Sequence, residues 1–374
     1  MIVYFYIIAW AAVVGLVSKG TEVDELSFDG KTYVKRTSRL YALLIMGALI
    51  FMFGLRSGIG DTPAYITSFE NMPSEPELIG EYMEEITKYP AFAYLSCLWK
   101  CYISDDYHSW LFVIALISGV GIMIPFRRHS ENYWVTVLLF ILGGTALWFL
   151  NGIKQFLVCA IIFAFTDLLL KKKYIAYIIV VLLASRMHTT GLIMIPMIVI
   201  AQGKPWSWKM GITMALGFLA IVFVDVFADI SSFFLEDTIY SGKEERIFAG
   251  GEAGANILRF VFTALVPVSA FILKKKIDEI ATPIINLCIN LSVVTAGIYL
   301  ISSFTSGVYM GRMPIYTVCY NYILIPWIIT KCFNKKTQVL LWVAVIAVFG
   351  VYFYFETSGF AMPYYSDVLD IYIS

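Results

Sequence analysis

Long apolar runs alternate with compact basic clusters along this chain, and the pattern predicts about twelve membrane-crossing helices. The runs fall at about 1–17, 40–55, 109–126, 133–149, 153–170, 174–187, 189–203, 209–228, 257–273, 282–304, 313–330 and 338–355. Dense Lys/Arg clusters sit at every second turn: Lys35-Arg36 with Arg39, Arg127-Arg128-His129, Lys171 to Lys173, Lys204, Lys274 to Lys276, and Lys331 with Lys335 and Lys336. Such clusters mark cytoplasmic turns, which places both termini outside. The first run lacks a preceding basic region and a small-residue cleavage site, so it reads as a retained span. The expected fold class is therefore an all-α polytopic integral membrane protein, one transmembrane domain over 1–374. The runs 174–187 and 189–203 are short and meet at the polar junction Ser185 to Thr190, the pattern of a broken or re-entrant pair.

Two longer polar stretches, 56–108 and 229–256, are expected as outer loops. In the first, Thr62 is placed to cap a short helix with Pro63 in its first turn, and that helix carries Tyr65 and Phe69. Acids come next at Glu70, Glu75, Glu77, Glu81, Glu84 and Glu85. The apolar, aromatic-rich 89–103 is short and mixed and reads as a helix lying in the interface or dipping in and out.

Composition agrees. Of 374 residues, 60% are hydrophobic and 14% charged, a balance that excludes a soluble globular domain of this length. Net charge is zero, so the overall balance says nothing about nucleic acid or acidic partners, and no nucleic-acid partner is expected. The six cysteines form no CxxC pair; Cys97 and Cys101 are spaced to share a helix face, where packing is favoured over a disulfide. The three histidines are too scattered for a zinc motif.

Counting crossings puts Arg56, Asp61, Lys154, Gln155, Arg186, His188 and Arg312 on the non-cytoplasmic side, near span ends. Ionisable groups at membrane depth are costly and mark function. Several cations around one cavity suit a diphosphate, because Arg offers a forked donor set and Lys a point charge. Each also has a plainer reading. The cations serve as head-group anchors, Asp61 as a loop cap, His188 as a cap on the next span, and Tyr65 as packing.

The stretch Arg-x-Gly-x-Gly-Asp-x-x-x-Tyr (Arg56, Gly58, Gly60, Asp61, Tyr65) comes after the second span. Later come Lys154-Gln155 opening a span, a lysine turn, and Met187-His188-Thr189-Thr190-Gly191. This order resembles the EpsG family, the Wzy-like polymerases of bacterial exopolysaccharide, capsule and O-antigen. The family's usual Arg-Gln pair stands here as Lys154-Gln155, which keeps the charge and loses the fork. The resemblance implies a GT-C-like, multi-span glycosyltransferase of the bacterial cytoplasmic membrane. It implies a substrate of oligosaccharide on undecaprenyl diphosphate, with a chain-length regulator and a flippase as partners.

On that reading His188 is the expected catalytic base and Asp61 the alternative. Arg56, Lys154 and Arg312 hold the diphosphate, Arg186 assists, and Gln155 and Tyr65 contact sugar or position neighbours. Direct displacement inverts the anomeric centre, and the cations stand in for a metal, so neither metal nor cofactor is expected. An O-antigen ligase-type transferase and a lipid-linked oligosaccharide flippase are the alternative readings.

Overall fold

A computed structural model describes residues 2–28, 30–222, 257–305, 310–359 and 364–373. The outer loop expected at 229–256 lies outside the described residues. The chain divides into two compact units, one of residues 1–192 with 334–374 and one of 193–333.

The first unit begins with α1 (Ile2–Ser18), a β-hairpin of β1 (Val23–Leu26) and β2 (Tyr33–Arg36), and α2 (Arg39–Gly54). The 56–108 segment then folds as α3 (Thr62–Glu70), α4 (Ile79–Glu84) and α5 (Pro90–Tyr102). Next come α6 (Tyr107–His129), α7 (Tyr133–Leu142), α8 (Ile153–Ala164), α9 (Thr166–Leu170) and α10 (Tyr174–Ser185). A long helix, Lys335–Gly359, and a second hairpin of β3 (Tyr364–Ser366) and β4 (Ile371–Ile373) complete the unit. In the second unit, helix Pro283–Phe304 packs against Ile257–Ile272, Trp208–Val222 and Ile315–Cys332.

The protein is a multi-pass, largely helical membrane protein. Among the described residues, five helices are long and apolar enough to cross a bilayer: Val3–Thr21, Tyr107–His129, Pro283–Phe304, Met310–Cys332 and Lys335–Ser358. Ile257–Ile272 with Lys274–Ile280, bent by 75°, makes a sixth if taken as one span. Several other predicted runs form shorter apolar helices, which continuous hydropathy does not reveal. The run 133–149 breaks after α7 into a 3-10 turn, Thr145–Phe149, because Gly144 at φ 73° leaves the helical region. The run 153–170 breaks between α8 and α9. The polar junction predicted after 174–187 is present: α10 stops at Ser185, and a 3-10 turn, Thr189–Ile193, comes soon after.

Helices α2, α6 and α8 form the core that carries the site. Gly121 lies so close to α8 that a Cβ there would stand 2.7 Å from the Ala160 carbonyl oxygen, so a hydrogen at this position lets the two backbones approach. The unit has two chemically distinct ends. At one, Arg127 pairs both terminal nitrogens with Glu25 (3.0 and 2.6 Å) and donates Nε to the Thr37 carbonyl at 2.7 Å. Arg36 donates to the Arg127 carbonyl at 2.9 Å, and Arg128 and His129 both meet Asp167. Of the basic turns that the sequence assigned to one side, those of Arg36 and of Arg127 to His129 meet here. The far ends of α2 and α6 carry Arg56 and His108 at the opposite pole.

The 56–108 segment is a packed cap over that pole. Phe69, Met72, Ile79, Phe92, Cys97 and Trp110 are buried together with Ile153 and Leu157 of α8. The Phe69 ring stacks on Trp110 at 4.7 Å, and Trp110 Nε1 donates to Ser96 Oγ at 3.0 Å. The six acids from Glu70 to Glu85 are all exposed, as a water-facing cap requires. All six cysteines are free.

Candidate active site

The Arg56 loop leaves α2 and turns into α3. The cap position of α3 is Asp61 rather than the predicted Thr62, which lies one residue into the helix with its hydroxyl turned elsewhere. Arg56 Nε donates to Thr62 Oγ1 at 2.7 Å, and one terminal nitrogen donates to the Phe53 carbonyl. Arg56 is only 1% exposed. Its other terminal nitrogen has no hydrogen-bond partner among the described residues, and the side chain lines a crevice with Leu111, Ser118, Phe149 and Phe156. Burial pulls its proton affinity down to about 10, so it stays cationic at neutral pH.

Gly60 turns the chain at φ 56°, and the Asp61 carboxylate accepts from the Gly152 N–H at 3.2 Å, clasping the loop to the start of α8. That start presents Lys154 and Gln155. The Lys154 ammonium stands over three aromatic rings: Phe92 at 4.8 Å, Tyr65 at 5.5 Å and Tyr89 at 5.6 Å. Among the described residues it makes no ion pair.

Lys100 fixes one wall of this cage. It donates to the carbonyls of Phe69, Glu70 and Met72 at 3.1, 2.7 and 2.6 Å, closing the C-terminal end of α3 with a positive charge. Tyr65 is thus held on a helix capped at its far end.

The turn after α10 supplies the rest. The His188 ring lies flat on Tyr89, with centroids 4.6 Å apart and planes at 9°. His188 Nδ1 is 2.7 Å from Thr190 Oγ1, which also accepts from Gln155 Nε2 at 3.2 Å. The Ala91 N–H donates to the Arg186 carbonyl at 3.2 Å, tying this turn to the start of α5. Tyr89 itself holds a left-handed backbone, φ 54° and ψ 50°, uncommon for a residue with a side chain.

Of the residues singled out from sequence, Tyr65, Lys154, Gln155 and His188 meet in one network around Tyr89. Asp61 and Arg56 support it from the loop below α8. The Arg186 side chain is exposed and its carbonyl makes the contact. Arg312 belongs to the second unit, in the 3-10 turn Met310–Arg312. Sequence reasoning missed Tyr89, Phe92 and Thr190. Tyr89 stands just before an aromatic-rich helix and Phe92 lies in its first turn, where both read as packing.

The second hairpin was also unforeseen. The Tyr364 hydroxyl donates to the Met52 carbonyl at 2.5 Å, the Ser57 N–H to the Tyr365 carbonyl at 2.9 Å, and the Asp367 N–H to Ser57 Oγ at 2.9 Å. Ser57 Oγ lies 3.2 Å from His108 Nε2, and His108 Nδ1 lies 2.9 Å from Asp106 Oδ1. With Nδ1–H donating to Asp106 and Nε2 accepting from Ser57, the polar atoms of this joint are satisfied. It pins the Arg56 loop between α6 and the hairpin.

Helices long and apolar enough to cross a bilayer, with a cation and an imidazole set among aromatic rings at one pole, define a multi-pass membrane protein with a candidate site whose ammonium can receive an anion. The chain belongs to the EpsG family, whose profile matches residues 39–366, and this places it with proteins of glycosyltransferase or polymerase type in polysaccharide biosynthesis. Comparisons with curated proteins and with solved structures gave no match.

Proposed function

We propose that this protein polymerises a polysaccharide at the outer face of the bacterial cytoplasmic membrane, with twelve crossings and both termini outside. It transfers a growing glycan from undecaprenyl diphosphate to the non-reducing end of a second lipid-linked unit. The observation that carries this reading is the pairing of Lys154 and His188 across Tyr89. A half-buried ammonium, with no carboxylate partner among the described residues, waits beside a positioned imidazole.

The geometry supports the following roles. Lys154 meets the diphosphate. Arg56 is buried, so it holds the loop and adds positive potential from below. Fixed cations in a site of low dielectric stabilise the diphosphate as it departs. His188 Nδ1–H donates to Thr190, which leaves Nε2 to take the proton from the acceptor hydroxyl. In that tautomer the Thr190 hydroxyl accepts from both Gln155 and His188. Direct attack inverts the anomeric carbon, and the cations do the work a metal does elsewhere.

The test is genetic and chemical. His188→Ala and Lys154→Ala are expected to insert normally, accumulate lipid-linked single units and make no polymer. Polymer of ordinary length in both would overturn the assignment. Polymerisation that stops with chelator and returns with a divalent ion would overturn the metal-free step.

A further inference from the structure

The Lys154 cage contains more aromatic surface than an ammonium needs. Phe92 is buried, and Tyr65 and Tyr89 are partly exposed, so two of the three rings are reachable from solvent. A cation held this way is bound less strongly than by a charge-assisted bond to a phosphate in a site of low dielectric. An arriving diphosphate therefore draws the ammonium off the rings. The vacated rings are apolar, flat and bordered by two phenol hydroxyls and the His188 imidazole. A pyranose ring has a C–H face that packs on such rings and hydroxyls that hydrogen-bond around its rim.

We propose that Tyr65, Tyr89 and Phe92 form a binding platform for the sugar ring attached to the lipid diphosphate, which Lys154 occupies until the substrate arrives. This deepens the polymerase reading and rests on it for the identity of the ligand. The Tyr89 ring then has two duties, since it also stacks on His188. The sugar and the imidazole are thereby set at a fixed separation. The left-handed backbone at Tyr89, stitched by the Phe92 and Ala93 N–H groups donating to its carbonyl at 3.1 and 3.2 Å, keeps the ring in that position. Lys100 does the same for Tyr65 by closing α3.

Direct binding tests the platform without requiring turnover. Two probes are used on the full-length protein in detergent: undecaprenyl diphosphate, and the lipid-linked unit extracted from cells lacking this protein. The wild type is expected to bind the sugar-bearing lipid roughly tenfold more tightly than the bare diphosphate. Tyr89→Leu and Phe92→Leu are expected to erase that preference and to tighten the bare diphosphate slightly, since Lys154 then leaves a smaller cage. Tyr89→Phe keeps the ring and is expected to keep the preference. Lys154→Ala is expected to weaken both probes together. If Tyr89→Leu does not fold, Phe92→Leu with Tyr89→Phe as control still decides. An undiminished preference in the leucine variants, or no preference in the wild type, overturns the platform. Polymer formation in the same strains is read separately. A failed platform with polymer still made leaves the polymerase reading intact, whereas intact binding without polymerisation by the wild type overturns only the latter.

Discussion

The Asp61 carboxylate accepts a hydrogen bond from the Gly152 N–H at 3.2 Å, joining the Arg56 loop to the helix that carries Lys154. This geometry separates two roles. As a clasp, Asp61 needs only an acceptor oxygen; as a base, it needs a carboxylate. Asp61→Asn is therefore expected to retain polymer formation, and Asp61→Ala to lower stability by about 1 kcal/mol and reduce activity through a misplaced Lys154. Polymer formation in a deletion strain, with thermal midpoints in detergent, checks both. Loss of all polymer in a fully folded Asp61→Asn protein would restore Asp61 as the base.

Arg56 and Lys154 should respond differently to removal. Arg56 is buried, and deleting it leaves the Thr62 hydroxyl and the Phe53 carbonyl without their charged donor. Arg56→Ala is expected to cost roughly 3 kcal/mol of stability. Lys154 rests on rings and makes no ion pair among the described residues, so Lys154→Ala is expected to leave stability within about 1 kcal/mol of wild type while abolishing polymer. Thermal midpoints of the two variants, measured side by side, check this division, and equal losses would contradict it.

The opposite pole is pH-sensitive through Glu25. Its bidentate hydrogen bonds from Arg127 hold its carboxyl below the ordinary value. A folded-state value below the unfolded one adds stability above the unfolded pKa of about 4.3, lost as pH falls through the folded value. Glu25→Gln is expected to be less stable than wild type at pH 7, by roughly 1 kcal/mol, and to match it in strong acid. Denaturation midpoints measured from about pH 7 down to about pH 3 track the closing gap.

Gly58 is expected to tolerate no side chain. A Cβ there would overlap the Tyr365 ring, whose backbone pairs with this residue. Gly58→Ala should release the hairpin from the Arg56 loop and expose the 364–373 segment to protease, while α2 stays intact. Protection equal to wild type in limited proteolysis would show that the hairpin is held by other contacts.

Local composition was enough for the class of protein. Apolar length and basic turns established a multi-pass helical chain, and the short motifs pointed to the family. The same alternation placed Arg36, Arg127, Arg128 and Lys171 apart from Arg56, Lys154 and His188, and the first unit keeps that division. Hydropathy did not mark where runs break, because Gly144 and the α8–α9 junction interrupt hydrogen bonding without interrupting apolarity. Only the tertiary structure decided that Arg56 is walled in, that Asp61 accepts from the Gly152 N–H, and that Lys154 sits on Phe92, Tyr65 and Tyr89. Those relationships join residues far apart in the chain: Asp61 and Gly152 are separated by 91 positions, and Tyr89 is similarly distant from His188. They depend on how closely α6 and α8 approach and on how the cap folds over them, which no local pattern records.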